Sequence, residues 1–414
     1  MTPELGPHFF RHEYGRQVAL LSRRFGAQHL EAIEDAVQLA LLGAVESWPK
    51  TSIPDNPSAW LFRAAHRQLL DELRRRARRD AIAVLHAHEI SEPQPIESEP
   101  PVGLAGDVED DLLRMMFVCC DDALPVSSQV TLALKTLCGF DVPEIAARLF
   151  TTESNVYKRL ARARSRLREA GELHDEPSLE ELASRLPSVR AVLYLLFTEG
   201  YLSSHADDAI RRDLCDEAVR LTEVLAAHPT GAVSETHALL ALMHLHRARM
   251  PARQDGAGGL LLLEEQDRAL WDANEIQTGL AWLARSAEGQ VFSRFHAQAG
   301  IAAEHCLAAT FADTRWDRIV ACYAQLEGVA PSAVHTLNRA VATAEWRGPA
   351  DGLAVLDGLV PPAWLAGSYM WSAVLADLHR RAGHDAEAER HRRAALATAP
   401  TADVRSLLER RLGR

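Results

Sequence analysis

VTLALKTLCGFDVPEIAARLFTTESNVYKRLARARSRLRE, residues 130–169, decides the fold of this chain's first half. It reads as a helix, a short helix, a tight turn and a longer basic helix. Val130, Leu134 and Leu137 form one apolar stripe, and Ile145, Ala146 and Leu149 form another. Ala147 is small where two helices must cross closely, and Thr152 is suited to cap the last helix. In that helix Val156, Leu160, Ala163 and Leu167 lie within about 60° of one another, a narrow seam for burial. The opposite face carries Ser154, Tyr157, Lys158, Ala161, Arg162 and Ser165. The pattern is a helix-turn-helix whose outward face suits the major groove. Arg159, Arg164, Arg166 and Arg168 flank that face at phosphate-contact angles. Phe150 stands where such turns commonly place Gly, which shifts the expected turn by a residue.

Working back toward the N-terminus, HLEAIEDAVQLALLGAVESWP (29–49) predicts an amphipathic helix with Glu34, Asp35 and Gln38 exposed near its start. The loop KTSIPDNP follows, and then SAWLFRAAHRQLLDELRRRARR. On that third helix Arg63, Arg67, Arg74 and Arg78 share one face, in a row about 22 Å long. Leu61, Phe62, Ala65, Leu69 and Leu73 face the other way. Such a row can track a phosphate backbone. Trp60 and the loop before it can receive an unstacked base, because an aromatic face stacks any base.

The charge balance needs the same resolution. The 414 residues carry 45 Lys+Arg against 57 Asp+Glu, a net of −12, which at first argues against nucleic acid. Residues 1–170 account for −3 and 171–414 for −9. His86–Asp111 holds eight acids and no base, so the rest of the first part is +5. Two helices concentrate the positive charge, with seven arginines in Arg63–Arg79 and seven basic residues in Arg148–Arg168. No apolar run is long enough to cross a bilayer, and no secretory signal is read at the N-terminus, so a cytoplasmic protein is expected. The six cysteines (Cys119, Cys120, Cys138, Cys215, Cys306 and Cys322) form no C-x-x-C pair and read as reduced, mostly buried thiols. Neither a metal nor a cofactor is expected.

Beyond residue 178 the chain becomes a long train of Leu- and Ala-rich helices. Gly383, Ala388, Ala395 and Pro400 are spaced as in a tetratricopeptide unit. Ile319, Tyr323 and Pro331 give a weaker echo, and NRAVATAEWRGPADGL (338–353) a degenerate one. In GGLLLLEEQDRALWD (258–272) the glycines permit a tight turn and Leu260–Leu263 suggest a buried run. Glu264, Glu265, Asp267, Arg268 and Asp272 read as a network that fixes the domain core. An enzyme using those acids is the alternative, but no Ser or His nucleophile pattern accompanies them. LLFTEGY (195–201) reads as a hinge or docking segment. The expected fold is all-α. Two small helical domains, 1–85 and 108–172, are joined by an acidic flexible linker, 86–107. A tetratricopeptide-like helical-repeat domain, 178–414, follows.

EDAVQ with NPSAWLFRAAHRQLLDELRRR resembles region 2 of the extracytoplasmic-function sigma factors, and EIAARLFTTESNVYKRLARARSRL resembles their region 4. LYLLFTEGY (193–201), GGLLLLEEQDRALWD and LNRAVATAEWRGP (337–349) are similar to the subgroup with a long tetratricopeptide-like C-terminal extension. The resemblance implies a non-enzymatic alternative sigma factor that binds core RNA polymerase and promoter DNA. By position, it implies that Glu34, Asp35 and Gln38 face the clamp coiled coil of the largest polymerase subunit, with region 4 on the flap. Ser52, Asn56 and Trp60 would capture a −10 base, and Arg63, Arg67 and Arg74 would hold the strand. Thr152, Ser154, Asn155, Tyr157, Lys158 and Arg162 would read the −35 element. The acidic linker would follow the RNA exit path as an RNA mimic. Regulation would pass through the extension, marked by Glu199, Gly200, Tyr201, Asp267, Arg268, Trp271 and Asp272, rather than through a separate anti-sigma factor. The extension's concave surface suits a protein or peptide ligand. The alternative is a helix-turn-helix activator with a helical-repeat sensor, acting without replacing the sigma factor.

Overall fold

The computed structural model describes residues 7–85, 107–149, 151–169, 179–203, 210–256 and 258–413. The acidic linker, and with it the RNA-mimic reading, lies outside the described residues, as does Phe150. Among the described residues there is no strand, and one isolated bridge joins Gln254 to Leu260. The absence follows from the sequence, where helical spacing recurs and β-branched alternation does not. Two compact units are present, Met1–Val192 and Leu193–Arg414.

The first unit contains α1 (Pro7–Phe25), α2 (Leu30–Ser47), α3 (Pro57–Leu85), α4 (Asp107–Cys119), α5 (Val126–Thr136), α6 (Val142–Arg148), α7 (Glu153–Glu169) and the start of α8 (Leu179–Tyr201). The sequence predicts two domains separated by a tether, whereas here they pack on each other. α1 touches α4 and α5, and α7 lies on α2 and on the turn before it. Gly15 of α1 is so close to the end of α5 that an added Cβ would fall 2.2 Å from the Leu137 carbonyl oxygen. Arg23 of α1 donates to Asp111 of α4 at 2.9 Å. Periodicity reports each helix's apolar face but not which distant helix covers it, so this docking was invisible in the sequence.

The second unit continues with α9 (Arg212–Ala227), α10 (Ser234–Arg247), α11 (Ala273–Ser286), α12 (Arg294–Leu307), α13 (Trp316–Val329), α14 (Ala333–Arg347), α15 (Pro349–Val355), α16 (Ala363–Ala366), α17 (Tyr369–Arg381), α18 (Asp385–Ala397) and α19 (Ala402–Leu412). Helices pack mainly on their chain neighbours, as in stacked hairpins. Gly383 turns α17 into α18 at a φ of 77°, a left-handed conformation that glycine adopts without a Cβ penalty. Ala395 is fully buried, and Pro400 lies just past the end of α18. The α14–α15 pair is the degenerate echo. A Cβ on its Gly352 would lie 2.7 Å from the Ala344 Cβ, so these helices cross almost backbone to backbone.

The 258–272 motif departs from its reading. Of the four leucines only Leu260 is buried, joining Val404, Leu408 and Leu412 of α19. Two short 3-10 turns, Leu263–Glu265 and Arg268–Leu270, precede α11. The division between the two units falls inside α8.

All six cysteines are free, four of them buried. Burial pushes the Cys120 thiol up to about 12 and the Cys306 thiol up to about 11, which leaves both protonated and inert. No helix among the described residues is long and apolar enough to cross a membrane.

Candidate nucleic-acid interface

The α6–α7 turn is built by local chemistry. Asp141 accepts from the Glu144 backbone N–H at 2.7 Å, and Glu144 accepts from the Asp141 N–H at 2.8 Å. This reciprocal box fixes the start of α6. The Thr152 hydroxyl then accepts from the Asn155 N–H at 3.3 Å and caps α7. Val156, Leu160, Ala163 and Leu167 are buried as a seam. Burying that seam turns the other face outward: Thr152, Ser154, Asn155, Tyr157, Lys158 and Arg162 are all exposed, Tyr157 at 59%. Six polar or aromatic side chains therefore stand on one helix end, able to reach base edges. Ser165 does not join them fully. It is half-buried and donates to Glu169 at 3.0 Å.

The flanking arginines divide. Arg166 is exposed, whereas Arg164 donates to Glu34 at 2.5 Å and Arg168 to Glu31 at 3.1 Å. Two of the four arginines expected at phosphate-contact angles are thus committed to α2. The same contact corrects the reading of Glu34. Its residue is only 2% exposed, and Thr136 donates to its other carboxylate oxygen at 2.9 Å. It bonds α5 and α7 to α2 instead of facing a polymerase. Beside it, burial and the Glu34 charge push the Tyr14 phenol far above its ordinary range. Asp35 and Gln38 remain exposed as expected. The sequence missed what surrounds them: Leu39, Leu42 and Val45 are 52%, 58% and 54% exposed. The available signal was apolar residues lying off the core stripe of α2.

On α3, Arg63, Arg67 and Arg74 are exposed and line one face. Arg63 and Arg67 have no acidic partner among the described residues, and Arg74 lies 3.9 Å from Asp71. Arg75, Arg76 and Arg79 instead surround Glu72, whose carboxyl they hold below the usual range, chiefly through the Arg76 hydrogen bond. Asn56 caps α3, accepting from the Ala59 N–H at 2.9 Å, and Ser52 is exposed in the loop. Trp60 is less open than a free stacking platform. It is half-buried and sits edge-on to Trp48 at 5.4 Å, within an aromatic group that includes Phe9 and Phe10.

In the second unit the singled-out residues do structural work. Glu199 accepts from Ser203 at 2.8 Å and pairs with Arg211 at 3.8 Å. A Cβ on Gly200 would meet the Arg211 carbonyl and Cys215 amide at 2.7 Å, so only glycine lets α8 and α9 come this close. Asp267 and Asp272 are helix caps, accepting from the Ala269 and Asn274 N–H groups at 2.9 Å each. Glu265 lies 3.4 Å from Arg410 and Glu264 lies 3.9 Å from Arg411, which ties the motif to α19. The acids of the motif are thus occupied in capping and ion pairs. Tyr201 receives the Arg253 guanidinium on its ring at 3.7 Å, and Trp271 receives that of Arg268 at 4.6 Å.

Three families match the chain. Sigma-70 region 2 covers residues 10–79, and Sigma-70, region 4 covers 114–167. A family of unknown function (DUF6596) covers 185–287. An uncharacterized protein of Rhizobium meliloti (strain 1021) is 34% identical over 386 residues, covering 93% of this chain and 90% of that one. No solved structure matches. The region 2 match takes in α2 and α3, and the region 4 match takes in α7. Those domains carry a role in transcription initiation, through core RNA polymerase and promoter DNA, by a non-enzymatic regulator. The chain belongs to the sigma-70 family as an extracytoplasmic-function-type sigma factor with a C-terminal helical extension.

Proposed function

We propose that α7 reads the −35 element through Tyr157, Lys158 and Arg162, with Thr152, Ser154 and Asn155 at its leading end. Ser52, Asn56 and the edge of Trp60 receive a −10 base, and Arg63, Arg67 and Arg74 hold the adjoining strand. Asp35 and Gln38, extended by exposed Leu39, Leu42 and Val45, dock on the clamp coiled coil of the largest polymerase subunit, and region 4 engages the flap. The observation that carries this reading is the outward α7 face, which remains exposed while its apolar seam is buried.

The free protein is acidic and its two basic faces are small, so polymerase supplies the remaining affinity by tethering both readers at once. Promoter binding is therefore negligible for the isolated chain and salt-sensitive for the complex with core polymerase. Co-purification with core polymerase followed by run-off transcription tests it. Tight, specific promoter binding without polymerase would overturn it in favour of a helix-turn-helix activator.

The extension regulates access to polymerase. Truncation after Val192, followed by the same run-off assay, gives the sign of its effect. Unchanged promoter output removes the regulatory reading.

A further inference from the structure

Charge in the second unit gathers around one buried ring, with Arg268 half-buried beside it. Arg249 is 8% exposed, and Trp271 is 7% exposed. The Arg249 guanidinium lies 5.2 Å from the Trp271 ring centroid, and that of Arg268 lies 4.6 Å from it. None of Arg249, Arg253 and Arg268 forms an ion pair among the described residues. Arg253 is satisfied by the Tyr201 carbonyl and ring. Arg268 spends one nitrogen on the His305 and Ala308 carbonyls, at 2.6 and 2.7 Å. Several polar atoms remain buried without a hydrogen-bond partner: Arg249 Nε, Arg268 Nη2, Trp271 Nε1, and the Nδ1 atoms of His246 and His305.

A buried guanidinium without a counter-charge is costly, and an aromatic ring offsets only part of that cost. The surroundings supply no ion pair to Arg249 or Arg268 among the described residues. Burial and the neighbouring arginines push both imidazoles down to about 3, so the histidines are neutral and the site's positive charge rests on arginine. Asp313 acts on Arg268 only through its charge, and no ion pair joins the two among the described residues. Around the Trp271 ring, two guanidinium groups and the indole thus each keep a buried donor without an acceptor, and such donors are the ones by which proteins hold oxyanions.

We infer that the C-terminal unit contains a binding site for a small oxyanion ligand, bearing a carboxylate or phosphate group, built on Arg249, Arg268 and Trp271. The site stands independently of the promoter-reading assignments above. The ligand's oxygens accept from Arg249 Nε, Arg268 Nη2 and the Trp271 indole N–H, and neutral His246 and His305 add donors in the Nδ1–H tautomer.

Thermal unfolding of the full chain tests this with two probes, inorganic phosphate and acetate, each at about 10 mM and compared with sodium chloride at equal ionic strength. The expected result is a rise in Tm of about 3 °C or more for one probe beyond the chloride control. Whichever probe is stronger identifies a phosphate or a carboxylate ligand. Arg249→Gln abolishes the rise. Trp271→Phe, which keeps the ring and removes only the N–H, reduces it and guards against a misfolded arginine variant. Equal shifts for both probes and chloride, or a full rise retained in both variants, would overturn the site.

Discussion

Arginine is used in opposite ways in the two units. In the first, Arg63, Arg67 and Arg162 stand exposed on helix faces. In the second, Arg211, Arg249 and Arg253 are turned inward. An outward guanidinium stays hydrated and can exchange its counterions for phosphate. An inward one has lost that hydration and needs a fixed partner, whether carboxylate, carbonyl, ring or ligand. α7 contains both kinds two residues apart, about half a turn, with Arg162 toward solvent and Arg164 on Glu34. Outward positions should therefore govern function without affecting stability, and inward positions the reverse.

Four experiments probe that contrast. Glu34→Ala leaves Arg164 and Thr136 without their shared acceptor. It should lower unfolding stability by about 3 kcal/mol in urea titration, because breaking a buried pair strands the other charge. No measurable change would show that α7 does not depend on α2. Next is Lys158→Ala combined with Arg162→Ala. This pair should weaken promoter binding by the polymerase complex by about 2 kcal/mol, roughly thirtyfold, with Tm unmoved. A fall in Tm of comparable energy would place these side chains among the inward class.

The third experiment uses acid. His246 and His305, ordinarily near 6.5, are held at about 3 in the folded protein. Between those values the unfolded chain binds protons that the folded chain refuses. Their contribution is complete above about pH 6.5 and declines as pH falls. The second unit should lose about 2 kcal/mol between about pH 7.5 and 5.5, and His305→Gln should flatten that dependence. A flat profile in the parent protein would mean that the imidazoles are reached by water. The smallest effect belongs to Arg168→Ala. Its partner Glu31 is exposed, so the loss should stay under about 0.5 kcal/mol. A larger loss would make the outer edge of the α2–α7 contact as important as its buried centre.

Much of the first unit was legible from residues alone. The α7 seam and its outward face follow from spacing at 3.6 residues per turn, and the Thr152 cap from a side chain acting on its own backbone. The arginine row on α3 is likewise a property of one helix. The readings that changed share a cause. Glu34 looked exposed because α2 was considered without α5 and α7. Leu261–Leu263 looked buried because a run of leucines gives no face when the segment is not a helix. Trp60 looked open because Trp48 is twelve residues away in sequence and on another element.

The sequence by itself determined the helices, their caps, the helix-turn-helix and the two basic faces, since these depend on neighbours within a few residues. Only the tertiary structure decided which arginines keep their water. Glu34, Arg164 and Thr136 are brought together from α2, α7 and α5, and Arg249 is brought to the turn that carries Arg268 and Trp271 from elsewhere in the second unit. Burial depends on long-range packing, and it is burial that makes a charge available to DNA, bound to a neighbour, or in need of a ligand.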